Sequence, residues 1–346
     1  MVGCTHGAKN TLVKNYLFFA EKNGVEILSE FEVIDVKPID SQDPHGNKGY
    51  IVTLESSTDF IIKRKLKFKT KGIIFSAGVL GTLDLLFKCK ENNSLPLLSD
   101  KLGSTVRTNS ESIIGVRVED QSVDMGHGIA IGSGIHIDDH THIEAVRYSK
   151  GSDALSMICT VLPIDNKNIP RLLSWFVFTM THPLKTIKAY IPMNWAKSSI
   201  ILLVMQTLDG SIKLKRKRSL FSFFKKSLNT ETDNGQSISP FIPKANAFAH
   251  FMANTIKRGT PLTSFTEIFL NVPTTAHILG GAIMGENADQ GVINFRNEVF
   301  NYKNMYICDG SMITVNLGVN PSLTITALTE HAMSHIPAKI ENKNGI

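Results

Sequence analysis

VFNYKNMYICDGSMITVNLGVNPSLTITALTEHAMSHI, residues 299–336, reads as a strand, a tight turn, a glycine-bearing loop and a helix in direct succession. Met305 to Cys308 is the short apolar strand, and Asp309-Gly310 behind it is the turn pair. Asn320 can cap the helix, and Pro321 occupies its first turn, where a missing N–H costs nothing. Ser322, Thr324 and Thr326 are poor interior helix formers, so the N-terminal turn is expected to be shaped by a ligand as well as by propensity. Ile325, Leu328 and Ala332 then share one helical face.

Two other stretches carry the same kind of signal. In KGIIFSAGVLGTLDLLFKCK, residues 71–90, an apolar strand meets Ser-Ala-Gly and passes into a helix beginning near Val79. That junction presents backbone N–H groups at a helix N-terminus, which suits a phosphate-bearing ligand, although many α/β turns share the pattern. TTAHILGGAIMG, residues 274–285, sets His277 beside a glycine doublet. Either the ring is a packed histidine, the commoner case, or a flat ligand lies so close that side chains must be absent.

The rest of the chain fills in around these. A helix is expected over 11–22, strands over 25–39, 49–56 and 60–70, and a β-rich region over 112–160. Short helices interrupted by Pro170, Pro183 and Pro192 fit 169–197. Residues 199–208 read as a buried strand with 211–218 beside it, 226–241 as an exposed polar loop, and 245–257 as a helix. With 42% hydrophobic and 20% charged residues in 346, this is a folded chain with room for two domains. A net charge of +6 is modest. The cluster Lys213, Lys215, Arg216, Lys217, Arg218, Lys225 and Lys226 has no aromatic-interleaved nucleic-acid motif, so a solvated edge or an anionic-surface contact is expected and no nucleic-acid partner. Cys4, Cys89, Cys159 and Cys308 form no CxxC pair, and His136, His140 and His142 lie in an alternating strand pattern, so no metal site is expected. No stretch is long and apolar enough for a membrane span and no apolar leader opens the chain, so a soluble, cytoplasmic protein is expected.

TAHILGGAIMG, YICDGSMI and NLGVNPSLTITALTEHAM together resemble the closing section of the glucose–methanol–choline (GMC) oxidoreductases, in their cholesterol-oxidase-like branch. LGSTVRTNSES and GIAIGSGIHIDDHTHIEAVRYSKGSDA are similar to the same branch, and SAGVLGTLDLL resembles its strand-to-helix junction near the flavin. The resemblance implies an α+β fold, a partial FAD-binding α/β layer plus a mainly antiparallel substrate-domain sheet covered by helices. It implies a partial FAD-binding domain over 1–111, a substrate-binding domain over 112–272, and a return to the FAD-binding domain over 273–346. It further implies FAD-dependent oxidation of a secondary alcohol, typically a sterol 3-hydroxyl. His277 matches the histidine that hydrogen-bonds the substrate hydroxyl and takes or orients its proton, and Asn320 the asparagine beside the flavin ring. Asp309 and Gly310 match the turn near the ribityl–phosphate side, Pro321 and Ser322 the helix start beneath the pyrimidine edge, and Ala77 and Gly78 the first junction. Glu144 falls where steroid-oxidising members place the carboxylate that moves a proton during double-bond isomerisation, and Val33 matches a strand residue touching the adenine.

The chemistry suits these residue types. Alcohol oxidation by a flavin takes a hydride from carbon and a proton from oxygen, and an imidazole both accepts a hydrogen bond and moves a proton near neutral pH. Gly280 and Gly281 are expected to keep the backbone thin for the flat ring. A G-x-G-x-x-G unit with an acidic residue about 20 positions on is absent from these residues. The chain is therefore expected to be a fragment, a split-gene product or a mis-assigned start, to bind FAD poorly alone, and to depend on a separate chain carrying the dinucleotide-binding segment. A sterol or another hydrophobic alcohol is the expected substrate, with transient contact to a membrane surface through the aromatic cluster of 169–197. Oxidation of a sugar or choline, or a non-catalytic lipid-binding remnant, are the competing readings.

Overall fold

The computed structural model describes residues 6–120, 122–165, 168–218, 225–233, 238–256 and 258–338. They form two compact units: Leu28–Thr108, Asp209–Ser237 and His277–Ile346 make one, and Met1–Ile27, Asn109–Leu208 and Ile238–Ala276 the other. Compared with the ranges read from sequence, Met1–Ile27 and Asp209–Ser237 change sides. Strand pairing explains the second move, because Ile212 lies opposite Val106.

In the first unit, Phe31–Pro38, Tyr50–Ser56 and Lys65–Thr70 form an antiparallel meander. The third strand starts later than its apolar–basic alternation suggested, since Phe60–Arg64 belong to the connecting loop. The helix Gly78–Glu91 buries Val79, Leu83, Leu86 and Cys89 against this unit's core. Each such aliphatic side chain removed from water stabilises the fold by about 1.5–3 kcal/mol. Ile73–Phe75 and Met305–Ile307 lie side by side as a parallel pair, and the helix Ser322–Ser334 closes the described chain. Ile325, Leu328 and Ala332 on its inner side do pack inward.

A second sheet of this unit runs in the order Lys226–Thr232, Ile212–Arg218, Val106–Arg107, Leu279–Gly280. This corrects two expectations. Ile212–Arg218 does not pair with Ser199–Gln206, and Lys226–Thr232 is a strand, whereas a loop was expected over 226–241. The polar composition misled because the hairpin is held by charge: Glu231 takes Lys215 at 3.0 Å and also Lys217, and Arg216 reaches Glu91 at 3.0 Å. Residues 234–237 lie outside the described residues.

The other unit is built on six antiparallel strands in the order Ile131–Asp138, Thr141–Val146, Ser199–Gln206, Ser112–Val118, Gly259–Ser264, Cys159–Val161. The helix Pro243–Thr255 covers one face, its Ala245 and Ala249 meeting Ile114, Ile143, Leu202 and Val204. Lys257, where the sequence placed the helix end, is outside the described residues. Val146, Ile201, Leu203, Met205 and Leu262 gather on the opposite face with Trp195. Residues 11–22 split into a 3-10 turn and the helix Tyr16–Lys22, neither with a buried residue.

The proline-interrupted region forms Arg171–Thr181, Pro183–Tyr190 and Trp195–Ser198 as expected. Within Arg171–Thr181, Trp175 turns inward, donating Nε1–H to Thr160 Oγ1 at 2.8 Å and meeting the Phe269 ring edge-on. Phe176 is half exposed, in a row with Leu172, Leu173, Val177 and Met180. Cys89, Cys159 and Cys308 are buried free thiols, and burial pushes the first two up to about 12 and the third to about 11. Cys4 is outside the described residues. Both units are thus mixed α+β with mainly antiparallel sheets.

Candidate functional site

Two strands end side by side at the parallel pair, and each runs into a glycine turn. Phe75 leads through Ser76 and Ala77 to Gly78, and Ile307 leads through Cys308 to Asp309 and Gly310. Ligands of α/β layers bind at such carboxyl ends of parallel strands. The ladder continues one step past the strands, with Cys308 N–H donating to Phe75 O at 2.9 Å and Ser76 Oγ to Cys308 O at 3.0 Å. Ala77, Gly78, Asp309 and Gly310 are therefore brought together.

The two turns differ in what fills them. Gly78 has a φ of +71°, and a Cβ there would meet nothing within 4 Å. Ala77 gives the Gly78–Glu91 helix no side-chain cap, and the first N–H groups of any helix lack partners within it. Asp309, by contrast, is buried and spent on its own neighbours. Its Oδ1 accepts from Ser311 N at 2.8 Å and Ser311 Oγ at 2.5 Å, and its Oδ2 accepts from Thr82 Oγ1 at 2.5 Å. Thr82 Oγ1 in turn accepts from Ala77 N at 3.1 Å. The carboxylate ties the second turn to the start of the helix that follows the first.

His277 lies half-buried two residues before the short strand Leu279–Gly280, whose Leu279 stands opposite Arg107. Arg107 is buried, donating Nε–H to Thr314 O at 3.1 Å and Nη1–H to Gly210 O at 3.2 Å, with Asp209 as its ion partner. Asn316 Nδ2 donates to the same Gly210 carbonyl at 3.1 Å. One arginine thus fixes both the strand next to His277 and the loop that leads to Asn320. Asn320 is half-buried and precedes Pro321.

Two expectations need correcting here. Pro321, and not Asn320, occupies the cap position of Ser322–Ser334, and it gives no side-chain cap. Nor do Gly280 and Gly281 clear space for a flat ligand. A Cβ on Gly280 would run into the Thr105 carbonyl oxygen, and one on Gly281 into Leu83 and Val106. The room they leave is filled by protein.

Of the remaining candidates, Pro321 and Ser322 directly follow Asn320: Pro321 is buried and Ser322 is exposed at the helix start, while Val33 and Glu144 lie apart from this group. Val33 pairs with Leu54 next to a register shift, and its neighbours Glu32 and Asp35 reach Lys88 and Cys89 near the far end of the Gly78 helix. Ten residues of helix put that about 15 Å along the axis from Gly78. Glu144 belongs to the other unit, opposite Leu203 on the sheet face that carries Val146, Ile201 and Met205. It is buried, with His142 Nδ1 at 3.8 Å. The His142 ring lies over Gly134, where a Cβ would strike it, and stacks on His136 at 4.6 Å.

Residues 234–329 match the family model described as GMC oxidoreductase. Over 98% of its length the chain is 48% identical to a cholesterol oxidase of Acinetobacter baumannii, and over 99% it is 36% identical to one of Mycobacterium tuberculosis. The chain resembles the GMC oxidoreductases. It spans 60% and 58% of the length of those two relatives. Among solved structures it resembles a formate oxidase variant of Aspergillus oryzae, with a TM-score of 0.54 at 15% identity, over 92% of this chain and 62% of that one. An FAD-dependent oxidoreductase of Chaetomium thermophilum matches with a TM-score of 0.51 at 13% identity, over 93% of this chain and 63% of that one. At those identities the likeness concerns the fold, which agrees with the α+β reading.

Reading the sequence alone passed over Thr82, Arg107 and Asn316. Thr82 carried a usable signal, because a threonine four residues into a helix behind a Ser-Ala-Gly turn can reach back to the turn's backbone. Arg107 had none: its partners Gly210 and Thr314 are distant in sequence, and only the fold brings them together.

Proposed function

We propose that this protein takes part in FAD-dependent oxidation of a secondary alcohol, most specifically the 3-hydroxyl of a sterol, to a ketone. When bound, FAD supplies the hydride acceptor. His277 accepts the hydrogen bond of the substrate hydroxyl and takes its proton, while Asn320 orients the groups beside it. Glu144 carries a proton between carbons where oxidation is followed by double-bond isomerisation, and its apolar surroundings suit a hydrocarbon skeleton. Gly78 and the uncapped turn behind it receive anionic oxygen atoms, with Ala77, Asp309, Gly310, Pro321 and Ser322 shaping the cofactor side and Val33 a more distant part of it. The fit rests on the open space at Gly78 and on two long helices, Gly78–Glu91 and Ser322–Ser334, that begin without side-chain caps.

The observation that carries this reading is the 48% identity to a cholesterol oxidase across nearly the whole chain. The anchoring of the His277 strand and the Asn320 loop on one residue, Arg107, supports it. Contact with a membrane surface belongs to the same reading, and the exposed row Leu172, Leu173, Phe176, Val177 and Met180 supports it. Phe176→Ser is expected to weaken vesicle binding.

The test is anaerobic reduction of the flavin-loaded protein by a 3β-hydroxysterol, followed by flavin absorbance. His277→Gln is expected to slow reduction about 10²–10⁴-fold while flavin content stays the same. An unchanged rate in that variant would remove His277 from the chemistry, and reduction by choline or a sugar in place of sterol would redirect the substrate assignment. Flavin stoichiometry of the 346-residue chain after gel filtration is measured first, and one flavin per chain would overturn the expectation of poor FAD binding.

A further inference from the structure

The hairpin joining Tyr50–Ser56 to Lys65–Thr70 carries Phe60, Ile61 and Ile62 at its end, and these are 100%, 94% and 85% exposed. No other run of three large apolar side chains among the described residues is as bare. Single exposed apolar residues are ordinary, but turns favour Gly, Asn, Asp and Ser, so a Phe-Ile-Ile tip gains nothing for the fold that carries it. The meander's core lies elsewhere, at Val36, Tyr50, Leu54 and Val52.

Behind the tip stand Lys63, Arg64, Lys65, Lys67, Lys69 and Lys71. Glu55 holds Lys63 at 3.0 Å and Lys65 at 3.3 Å, and Asp59 holds Arg64 at 2.9 Å. Lys67, Lys69 and Lys71 are exposed and enter no salt bridge among the described residues. Register sets Lys67 and Lys69 opposite Thr53 and Ile51, on the other face from Leu66 and Phe68, which stand opposite Leu54 and Val52. Lysines on an edge strand guard against edge pairing. That accounts for the lysines and leaves the bare apolar tip unexplained. An apolar tip followed along its strand by a row of exposed lysines matches the surface of an anionic bilayer, where acyl carbon takes the tip and phosphates take the row.

We infer that this hairpin is a membrane-contact element, inserting Phe60, Ile61 and Ile62 among acyl chains while Lys67, Lys69 and Lys71 meet the headgroups of anionic phospholipids. It deepens the proposed membrane contact by assigning it to a second surface, and it requires no sterol chemistry.

The experiment sediments the full chain with sterol-free vesicles of phosphatidylcholine, with and without phosphatidylglycerol. Binding is expected to the anionic vesicles and to fall as salt rises. Replacing the tip (Phe60→Ser, Ile61→Ser, Ile62→Ser) is expected to lower the partition coefficient at least tenfold, and each of Lys67→Gln, Lys69→Gln and Lys71→Gln about fivefold. Phe60→Trp, compared with the unsubstituted chain, is expected to show a blue-shifted emission only with anionic vesicles. No binding to anionic vesicles overturns the inference. Binding that Phe176→Ser abolishes and the tip variant leaves intact also overturns it, assigning the contact to the other surface. So does a concentration-dependent self-association lost in the tip variant, which would make the tip a protein interface. Failure to oxidise sterol in the flavin-loaded protein would bear on the proposed reaction alone, because these vesicles contain none.

Discussion

The Gly78 turn and the Asp309 turn sit at the ends of two adjacent parallel strands, yet one is open and the other is full. At Gly78 the missing side chain faces empty space and the helix behind it lacks a cap. At Asp309 three hydrogen bonds from Ser311 and Thr82 use both carboxylate oxygens, and a Cβ on Gly310 would come to 3.3 Å from Val79 and 3.4 Å from Leu279. Two turns with the same Gly signature therefore differ in what fills them: the first is left open and the second is tied into the scaffold. The Asp309 carboxylate acts as a strut between the second turn and the helix behind the first.

Substitutions can break or sharpen that contrast. The largest effect is expected on the scaffold side at Gly280→Ala. Its φ of +75° and the clash with the Thr105 carbonyl combine backbone strain with overpacking. A loss of about 4 kcal/mol is expected, read from chemical denaturation as a lower midpoint with unchanged slope. A loss below about 1 kcal/mol would mean that the glycine pair is less tightly enclosed than described. Next is Asp309→Ala, which leaves the buried Thr82 and Ser311 donors without their acceptor. A stability loss of about 2–3 kcal/mol is expected, with Thr82→Val accounting for part of it. If instead Asp309→Ala leaves the midpoint alone and affects only flavin content, the strut assignment is wrong. The smallest stability effect belongs to the open turn. Gly78→Ala meets no neighbour and costs only the left-handed backbone strain, about 1 kcal/mol. Its flavin retention is expected to drop more than tenfold, and equal flavin binding in variant and parent would close that turn as a ligand site.

Much of the fold was legible because it rests on local signals. Periodicity in 112–118, 141–146 and 199–206 and the proline breaks at 170 and 183 all translate directly into elements. The 226–232 strand was hidden because its partners are charges: Glu231 pairs with lysines of the neighbouring strand, and no apolar alternation announces it. The two adjacent turns of the candidate site were legible because a short motif carries each, Ala77-Gly78 and Asp309-Gly310. Long-range anchors were invisible, since the guanidinium of Arg107 gains its meaning from Gly210 and Thr314 and from nothing near it in sequence. The glycine doublet was misread for a related reason. A missing side chain announces that something comes close, and sequence alone cannot say whether the neighbour is a ligand or another stretch of the same chain.

The buried cysteines have a practical use that follows from where they fall. Cys159 belongs to one unit and Cys89 and Cys308 to the other, and all three thiols are held protonated by burial. An alkylating reagent reacts with thiolate, so each sulfur is silent until its surroundings open. Timed labelling followed by peptide mass analysis then clocks the breathing of each unit independently, without an added probe.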